Sequence, residues 1–210
     1  MGVKMEIELL SITPDAEKLI ERAGRTSHLS FAREGKDSEK KFIKMLIRLG
    51  HHSVLEHACA TFRISGVSRA LTHQLVRHRL CSYTQQSQRY VSELNFNYVE
   101  PKTIKNNKEA HHIFKEFMDS AMDTYSKLKE FGIKKEDARF VLPNAVCSEI
   151  VITANFREWR HILKLRGSPA AQWEIREMAV RILKVLKEYV PTVFFDFEID
   201  EKEKVVRQKP

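Results

Sequence analysis

The chain has 210 residues, 42% hydrophobic and 30% charged, so it can bury one sizeable core and is neither collagen-like nor mostly disordered. Its formal net charge of +8 makes polyanions or phosphorylated small molecules candidate partners. The 3 cysteines stand apart without a C-x-x-C pair, which indicates neither a disulfide framework nor a structural zinc site. We expect a single domain over residues 1–210, cytoplasmic, with no membrane segment and no bound metal.

Hydrophobic spacing predicts one strand and two helices at the start of the chain. Residues 3–12 are rich in Ile, Leu and Val and predict a strand, and Thr13-Pro14 predicts the start of a helix that ends at Gly24. A second helix is expected over residues 37–49, before Gly50. Apolar residues at i, i+3, i+4 and i+7 predict its buried face, made of Phe42, Met45, Leu46 and Leu49.

The next segment combines a strand, a helix and a polar stretch. Residues 58–65 predict a strand that Gly66 ends, and residues 67 to about 79 have helical spacing. Residues 81–89 are polar and have no hydrophobic period, so we expect a loop or irregular turn there. Loops beside rigid elements often carry chemistry, which makes this stretch a candidate functional segment.

The second half of the chain mixes helices and strands without a regular βαβ alternation. This order favours an α+β fold in which a mixed or antiparallel sheet packs with several helices. The predicted elements are a long amphipathic helix over 107–131, a short helix over 134–142, a strand over 145–154, a helix over 155–166, a last helix from Ser168-Pro169 to Pro191, and a closing strand over 193–199. Asn155, followed three residues later by Glu158, resembles a capping box that starts the helix over 155–166.

The densest basic cluster is Arg77-His78-Arg79, with Ser87 and Arg89 downstream. Guanidinium groups bind phosphate oxygens through paired hydrogen bonds and hydroxyl groups add donors, so this chemistry suits a nucleotide. On a helix, Gln74 would share a face with Arg77 and His78 and could read a pyrimidine edge. The alternative is a solvated basic helix end, and nearby tyrosines leave single-stranded nucleic acid open as a ligand.

Two further polar clusters precede and follow this one. His51, His52, Glu56 and His57 lack the H-x-x-E-H spacing of a zinc site, so they form either a hydrogen-bonded turn or the wall of a polar pocket. In the later cluster, Arg157 and His161 lie at i and i+4 of one predicted helix. Arg166 lies at the C-terminal end of that helix, where a positively charged side chain is common. Its members are Arg139, Asn155, Arg157, His161 and Arg166.

Arg77-His78-Arg79, seven residues and then Ser87 make up the R-H-R-x7-S signature of the flavin-dependent thymidylate synthases, and the surrounding sequence resembles that family. The resemblance runs from about residue 23 to the last helix, with residues 95–130 the least distinctive. Further blocks follow in the family's order. They are residues 50–57, Ser82-Tyr83, 87–90, Ala138-Arg139, 141–143, 155–157, Leu165-Arg166 and 171–175.

The resemblance implies a homotetrameric α+β enzyme that binds FAD and shares its active sites between subunits. It implies that deoxyuridine monophosphate is methylated to thymidylate, that methylenetetrahydrofolate supplies the one-carbon unit, and that NADPH reduces the flavin. Neither a metal nor a nucleic acid is implied.

Family positions also imply site residues. The implied flavin contacts are Ser53, Arg77, His78, Arg79, Gln85, Asn155, Arg157 and His161. The implied nucleotide contacts are Gln74, Arg77, Gln85, Gln86, Ser87, Gln88, Arg89, Arg139 and Arg166. Arg166 is the implied catalytic residue that activates the uracil, because a fixed guanidinium lowers the cost of negative charge on the ring. Ser87 is expected to donate a hydrogen bond to the nucleotide rather than to act as a nucleophile.

The chain departs from the family pattern at three positions. Ser53 stands where some members have Thr, and Gln85 where some have Glu, so both keep hydrogen-bonding capacity. Ala170 stands where some members have His and has no polar side-chain atom. Two other classes of function remain as rivals, namely a basic module that binds single-stranded nucleic acid and an oligomeric scaffold that has lost its chemistry.

Overall fold

A computed structural model describes residues 3–209. The strands are β1 (Glu6–Ile12), β2 (Cys59–Ser68), β3 (Ser82–Gln85), β4 (Cys147–Asn155), β5 (Phe197–Asp200) and β6 (Val205–Gln208). The α-helices are α1 (Ala16–Thr26), α2 (Ser38–Arg48), α3 (Arg69–Leu75), α4 (Lys102–Lys105), α5 (Lys108–Glu130), α6 (Lys135–Ala138), α7 (Phe156–Arg166) and α8 (Trp173–Tyr189). Short 3₁₀ turns occupy Phe31–Arg33, His52–His57 and Arg139–Val141.

Four strands form one sheet in the order β1-β2-β4-β3, and β5 and β6 form an antiparallel pair. The central strands β2 and β4 run antiparallel, since the Thr61 and Thr153 hydroxyls lie 2.9 Å apart and the Phe156 amide bonds the Ala58 carbonyl. The α+β prediction with an antiparallel sheet and several helices is confirmed. Within the described residues, no helix is both long enough and apolar enough to cross a bilayer.

The described chain divides into two compact units. The first unit contains residues 3–6, 64–74 and 84–150, and the second contains residues 7–63, 75–83 and 151–209. The core of the first unit includes Phe96, Met118, Ala121 and Val146. The expectation of a single domain stays a prediction.

The core of the second unit is built around aromatic side chains. The Phe62 and Trp159 rings meet edge to face with centroids 5.2 Å apart, and the Trp159 indole donates to the Ala60 carbonyl at 3.1 Å. Phe156 and Phe194 meet in the same way at 6.0 Å. These fully buried rings anchor α7, the helix that carries several of the candidate site residues.

The first strand and the first two helices differ from the predictions at three points. The described strand before them begins at Glu6 rather than at residue 3, and α1 begins at Ala16 and runs through Gly24 to Thr26. Gly24 therefore does not end the helix. Its role is to allow close packing, since a Cβ there would lie 2.7 Å from the Phe42 ring. The predicted apolar face of α2 is confirmed at Leu46 and wrong at Met45 and Leu49, which are exposed; the other buried apolar residues are Ile43 and Ile47.

The segment around the basic cluster differs most from prediction. Strand β2 continues through Gly66, whose φ of +65° and close approach to the Lys4 carbonyl explain why glycine is needed there. Helix α3 ends at Leu75, so Arg77-His78-Arg79 lies in a turn and not on a helix face shared with Gln74. Residues 82–85 form an edge strand instead of a loop, because backbone pairing beside β4 needs no hydrophobic period.

The later elements follow the predictions more closely. Asn107 caps α5 by accepting a hydrogen bond from the Ala110 amide, and Asn155 caps α7 through the Glu158 amide. Helix α8 begins at Trp173 rather than at Ser168-Pro169, because Gln172 supplies its N-cap. The closing strand is shorter than predicted, at Phe197–Asp200, and its partner β6 was not predicted.

Candidate active site

The turn after α3 places His78 at the centre of the second unit's polar cluster. The Tyr83 hydroxyl lies 2.8 Å from the Leu75 carbonyl and 3.0 Å from the His78 carbonyl, which closes the turn. Burial raises the pKa of Tyr83, so this hydroxyl stays protonated and can donate. His78 is buried at 5% exposure, whereas Arg77 and Arg79 on either side are exposed.

Helix α7 supplies the other side chains of this cluster. The Asn155 side chain accepts from the Glu158 amide at 2.9 Å, which confirms the predicted cap and fixes the first turn. Arg157 and His161 are exposed one turn apart, as their i and i+4 spacing predicts. Arg166 ends the helix.

Glu158, His78 and Arg166 form a continuous chain of hydrogen bonds. Nδ1 of His78 lies 3.2 Å from Oε1 of Glu158, and Nε of Arg166 donates to Nε2 of His78 at 2.9 Å. The capping-box pattern correctly predicts the Asn155 cap, but the Glu158 carboxylate contacts His78. We call these three side chains the relay.

The charges of the relay follow from its burial. Burial, with Arg166 and His161 adding repulsion, lowers the pKa of His78 to about 4, so the imidazole is neutral at neutral pH. Burial also raises the pKa of Glu158 and lowers that of Arg166, to which Arg77 adds repulsion. The arginine is therefore held by a neutral ring and keeps its positive charge.

The 3₁₀ turn His52–His57 packs against α7 and adds polar groups to the second unit. Arg157 bonds Glu56 with Nη1 and Oε1 2.5 Å apart, and the neighbouring Ser53 is exposed. His52 lies in the 3₁₀ turn with Nε2 3.3 Å from the Ile47 carbonyl. The interpretation of residues 51–57 as a hydrogen-bonded turn is thus confirmed for His52.

One group of side chains has metal-like spacing. His78, Glu158 and His161 each offer a ligand atom, and these atoms lie within 4.8 Å of one another. Both ring nitrogens of His78 are already engaged, by Glu158 and by Arg166. A metal bound there would have to displace one of these bonds.

The glutamines implied as ligand contacts lie in the first unit, where several bond protein groups. The Gln85 amide donates to the Thr72 hydroxyl at 2.9 Å and to the Ser148 hydroxyl at 3.1 Å. The Gln86 amide donates to Glu93 at 3.2 Å. Gln74 donates to the carbonyl one helical turn earlier, and Gln88 is buried at 8% exposure.

Two arginines of the first unit meet at Glu136. Nη2 of Arg89 lies 3.1 Å from the Glu136 carboxylate, and Nε of Arg139 donates to the Glu136 carbonyl at 3.1 Å. The Ser87 hydroxyl accepts from the Arg89 amide at 3.3 Å, which leaves the hydroxyl proton available to a ligand. The structure thus links Ser87 to Arg89, and Arg89 to Arg139 through their shared partner Glu136. We call Ser87, Arg89, Glu136 and Arg139 the Ser87 cluster.

Sequence reasoning missed three contributors to these clusters. Glu158 was noticed only as a helix-capping residue, and nothing in its spacing pointed to His78, which lies 80 positions away. Glu136 was not singled out, although its position three residues before Arg139 was a weak signal. Tyr83 was considered only as a base-stacking residue, whereas its hydroxyl closes the turn that carries His78.

Comparison with known proteins decides the family. The sequence model described as thymidylate synthase complementing protein matches residues 8–192. The chain belongs to this family. It is 43% identical over 203 residues to the flavin-dependent thymidylate synthase of Geobacter sulfurreducens, covering 91% of this chain and 86% of that protein.

Two further relatives from other organisms are similar to this chain. The flavin-dependent thymidylate synthase of Pyrococcus furiosus is 43% identical over 170 residues, covering 79% of this chain and 70% of the relative. That of Mycobacterium tuberculosis is 39% identical over 207 residues, covering 89% and 83%. The family match spans both compact units, so the basic turn, the relay and the Ser87 cluster all lie within it.

Proposed function

We propose that the protein is an enzyme that methylates deoxyuridine monophosphate to thymidylate. Methylenetetrahydrofolate donates the one-carbon unit, FAD is the flavin, and NADPH is the reductant. The observation that carries the proposal is the relay, because it holds the Arg166 guanidinium in place through the buried His78 ring, in a chain whose relatives are named flavin-dependent thymidylate synthases. A guanidinium held in a fixed position is the group needed beside a uracil ring that must carry negative charge.

The second unit offers chemistry that fits a flavin dinucleotide. FAD carries a diphosphate, and Arg77, Arg79 and Arg157 are exposed cations of the same unit. Asn155 uses its carbonyl oxygen as the helix cap, which leaves its amide hydrogens to a ligand. The flavin supplies hydride transfer when bound. Its other proposed contacts are Ser53, His78, Gln85 and His161.

Arg166 has the central chemical role in this proposal. Carbon 5 of uracil attacks the one-carbon unit as charge accumulates on the ring nitrogen and carbonyl oxygens, and a guanidinium at that edge stabilises this charge. Because His78 accepts from Nε, the orientation of the planar group is fixed before substrate binds. The bonds from the one-carbon unit to the folate nitrogens break, the C5 proton is lost, and a hydride completes the new methyl group.

The first unit offers groups suited to the nucleotide. Arg89 and Arg139 supply cations for a phosphate, and the exposed Arg89–Glu136 pair can exchange its carboxylate for a phosphate oxygen. Ser87 can donate its hydroxyl proton. The other charged contacts in the proposal are Arg77 and Arg166. The proposed amide contacts are Gln74, Gln85, Gln86 and Gln88.

We also propose a homotetramer with shared active sites. On α5, Ile113 is 67% exposed and Phe117 is 58% exposed, and their i and i+4 spacing puts both on one face of that helix. Large apolar side chains left in water along one helix face indicate an interaction surface. A Phe117→Glu variant should sediment as a smaller species than the wild-type chain, and an unchanged sedimentation coefficient would contradict this interface.

A flavin titration tests the proposed function. The full chain is mixed with FAD, desalted and examined by visible absorption while deoxyuridine monophosphate is added. A retained flavin spectrum that shifts with the nucleotide supports neighbouring sites for the two ligands. A colourless protein that instead binds an oligonucleotide, with strong salt dependence, would contradict the proposal and favour the nucleic-acid-binding rival.

A further inference from the structure

The relay joins both ends of α7 through one buried ring. Glu158 is in the first turn of the helix, Arg166 is its last residue, and His78 of the preceding turn segment lies between them. His78 and Glu158 are 5% and 7% exposed, so water has little access to the bond between them. All three residues belong to the second unit.

Hydrogen-bond chemistry fixes the tautomer of His78. A guanidinium nitrogen can only donate, so the bond from Arg166 requires that Nε2 of His78 carry no proton. The neutral ring must then carry its proton on Nδ1, which lies 3.2 Å from Glu158 Oε1. A carboxylate at Glu158 accepts a hydrogen bond from this Nδ1–H. In the other neutral tautomer, the Nε2–H of His78 would face the Nε–H of Arg166, and two donors cannot bond each other.

We propose that Glu158 is a positioning residue for the thymidylate reaction. By accepting the Nδ1–H of His78, it holds the ring in the only neutral tautomer that can accept from Nε of Arg166. The aim of the guanidinium towards the uracil therefore depends on a carboxylate that touches neither ligand. This inference rests on the proposed function for its catalytic consequence and on the relay geometry for its structural part.

The neighbouring charges favour the neutral ring that the inference requires. Arg166 lies at Nε2, and the His161 ring is 5.4 Å away, centroid to centroid. Arg77 is close enough to repel Arg166, and the Tyr83 hydroxyl meets the His78 carbonyl. Apart from Glu158 itself, these groups either oppose a second proton on His78 or are neutral. Glu158 thus selects between neutral tautomers rather than forming an ion pair.

Two substitutions separate positioning from a general structural role. Glu158→Gln keeps an oxygen that can accept the Nδ1–H, and we expect its kcat to stay within about threefold of wild type. Glu158→Leu removes the acceptor, and we expect kcat to fall by about 10–100-fold, the range for lost supporting partners of a site, with KM for the nucleotide changing less. Glu177→Leu, at a half-buried glutamate on α8, is the matched control and should keep wild-type kcat.

The tautomer itself is measured without any turnover. Nitrogen-15 NMR of the full, FAD-loaded chain labelled at histidine, with His78 assigned by a His78→Gln variant, should show Nδ1 protonated and Nε2 unprotonated in wild type and in Glu158→Gln. An Nε2–H tautomer in active wild type, or a folded Glu158→Leu enzyme with wild-type kcat, would overturn the positioning role. An Nδ1–H wild type that makes no thymidylate would instead overturn the proposed function.

Discussion

Arg166 donates from Nε to Nε2 of His78 at 2.9 Å, so the charged C-terminal end of α7 is anchored to a neutral imidazole. A carboxylate partner would cancel much of the guanidinium's field at the point where negative charge must develop. A neutral acceptor fixes the geometry and leaves the charge in place. This distinction separates Arg166 from an ordinary helix-end cation.

Substitution of Arg166 should remove turnover without unfolding the chain. Arg166→Lys keeps a charge but loses the planar fork, and we expect kcat to fall by about 10²–10³-fold, as when one preorganised donor is removed. Arg166→Ala should abolish thymidylate formation. Arg48→Lys, at the exposed end of α2, is the matched helix-end control and should be unchanged. An Arg166→Ala enzyme that turns over normally would refute the catalytic role.

Arg77 should serve both the flavin and the nucleotide. Arg77 is exposed, and beside the effect of burial its charge helps to lower the pKa of Arg166, so the two guanidinium groups are near each other. Arg77→Ala should therefore weaken the binding of both FAD and deoxyuridine monophosphate, which are anions. The measurement is a pair of titrations, FAD by fluorescence and deoxyuridine monophosphate by flavin absorbance. Arg22→Ala, another exposed arginine of the second unit, is the control. Unaltered affinities in Arg77→Ala would remove Arg77 from the site.

His78 should make the stability of the chain depend on pH. Its pKa is about 4 in the folded chain against an ordinary value of 6.5, so only the unfolded state takes up this proton between those pH values. The contribution is fully present above pH 6.5 and is lost as pH falls towards 4, at no more than about 1.4 kcal/mol per pH unit for one proton. The free energy of unfolding, measured by denaturant melts at a series of pH values, should fall more steeply with decreasing pH in wild type than in His78→Gln. Parallel curves would contradict the burial of a neutral ring.

The Arg160–Asp196 pair should be a major structural contact of the second unit. The two guanidinium nitrogens each lie 2.7 Å from a carboxylate oxygen, and both side chains are buried. Burial opposes ionisation of Asp196, but hydrogen bonds from Arg160 and Gln208 hold its pKa below 3.8. Its stabilising charge is therefore present at neutral pH and lost only as pH falls below that value.

Asp196→Asn tests this pair. Removing the charge leaves the Arg160 guanidinium buried without a carboxylate, and we expect a loss of about 3–5 kcal/mol in the free energy of unfolding. Glu203→Gln, which breaks an exposed pair with Arg207, should cost less than about 1 kcal/mol. Denaturant unfolding followed by circular dichroism measures both. Equal losses in the two variants would show that burial does not govern this contact.

Local sequence signals predicted the long elements and missed those that depend on partners. Asn155 caps α7 as predicted, because capping is decided within one helical turn. Gly24 was taken as a helix end although its role is to let Phe42 approach, which is a contact between two helices. Strand β3 has no hydrophobic period and exists because β4 offers it a backbone edge.

The sequence names candidate site residues but does not predict the hydrogen bonds between them. The signature and the later blocks identify Arg77, His78 and Arg166, and the structure joins two of them directly. The role of Glu158 depends on a contact across 80 positions, which no spacing rule contains. The hydrogen bonds that occupy Gln85 were also invisible, since Thr72 and Ser148 meet it only after folding.

The most direct test of the proposed function is a turnover assay in which the full chain is the sole enzyme. Purified protein is loaded with FAD and supplied with NADPH, methylenetetrahydrofolate and deoxyuridine monophosphate labelled with tritium at carbon 5. We predict release of tritium to water in step with thymidylate, and loss of both in Arg166→Ala. A folded, flavin-loaded wild-type protein that forms no thymidylate under these conditions would contradict the proposed function.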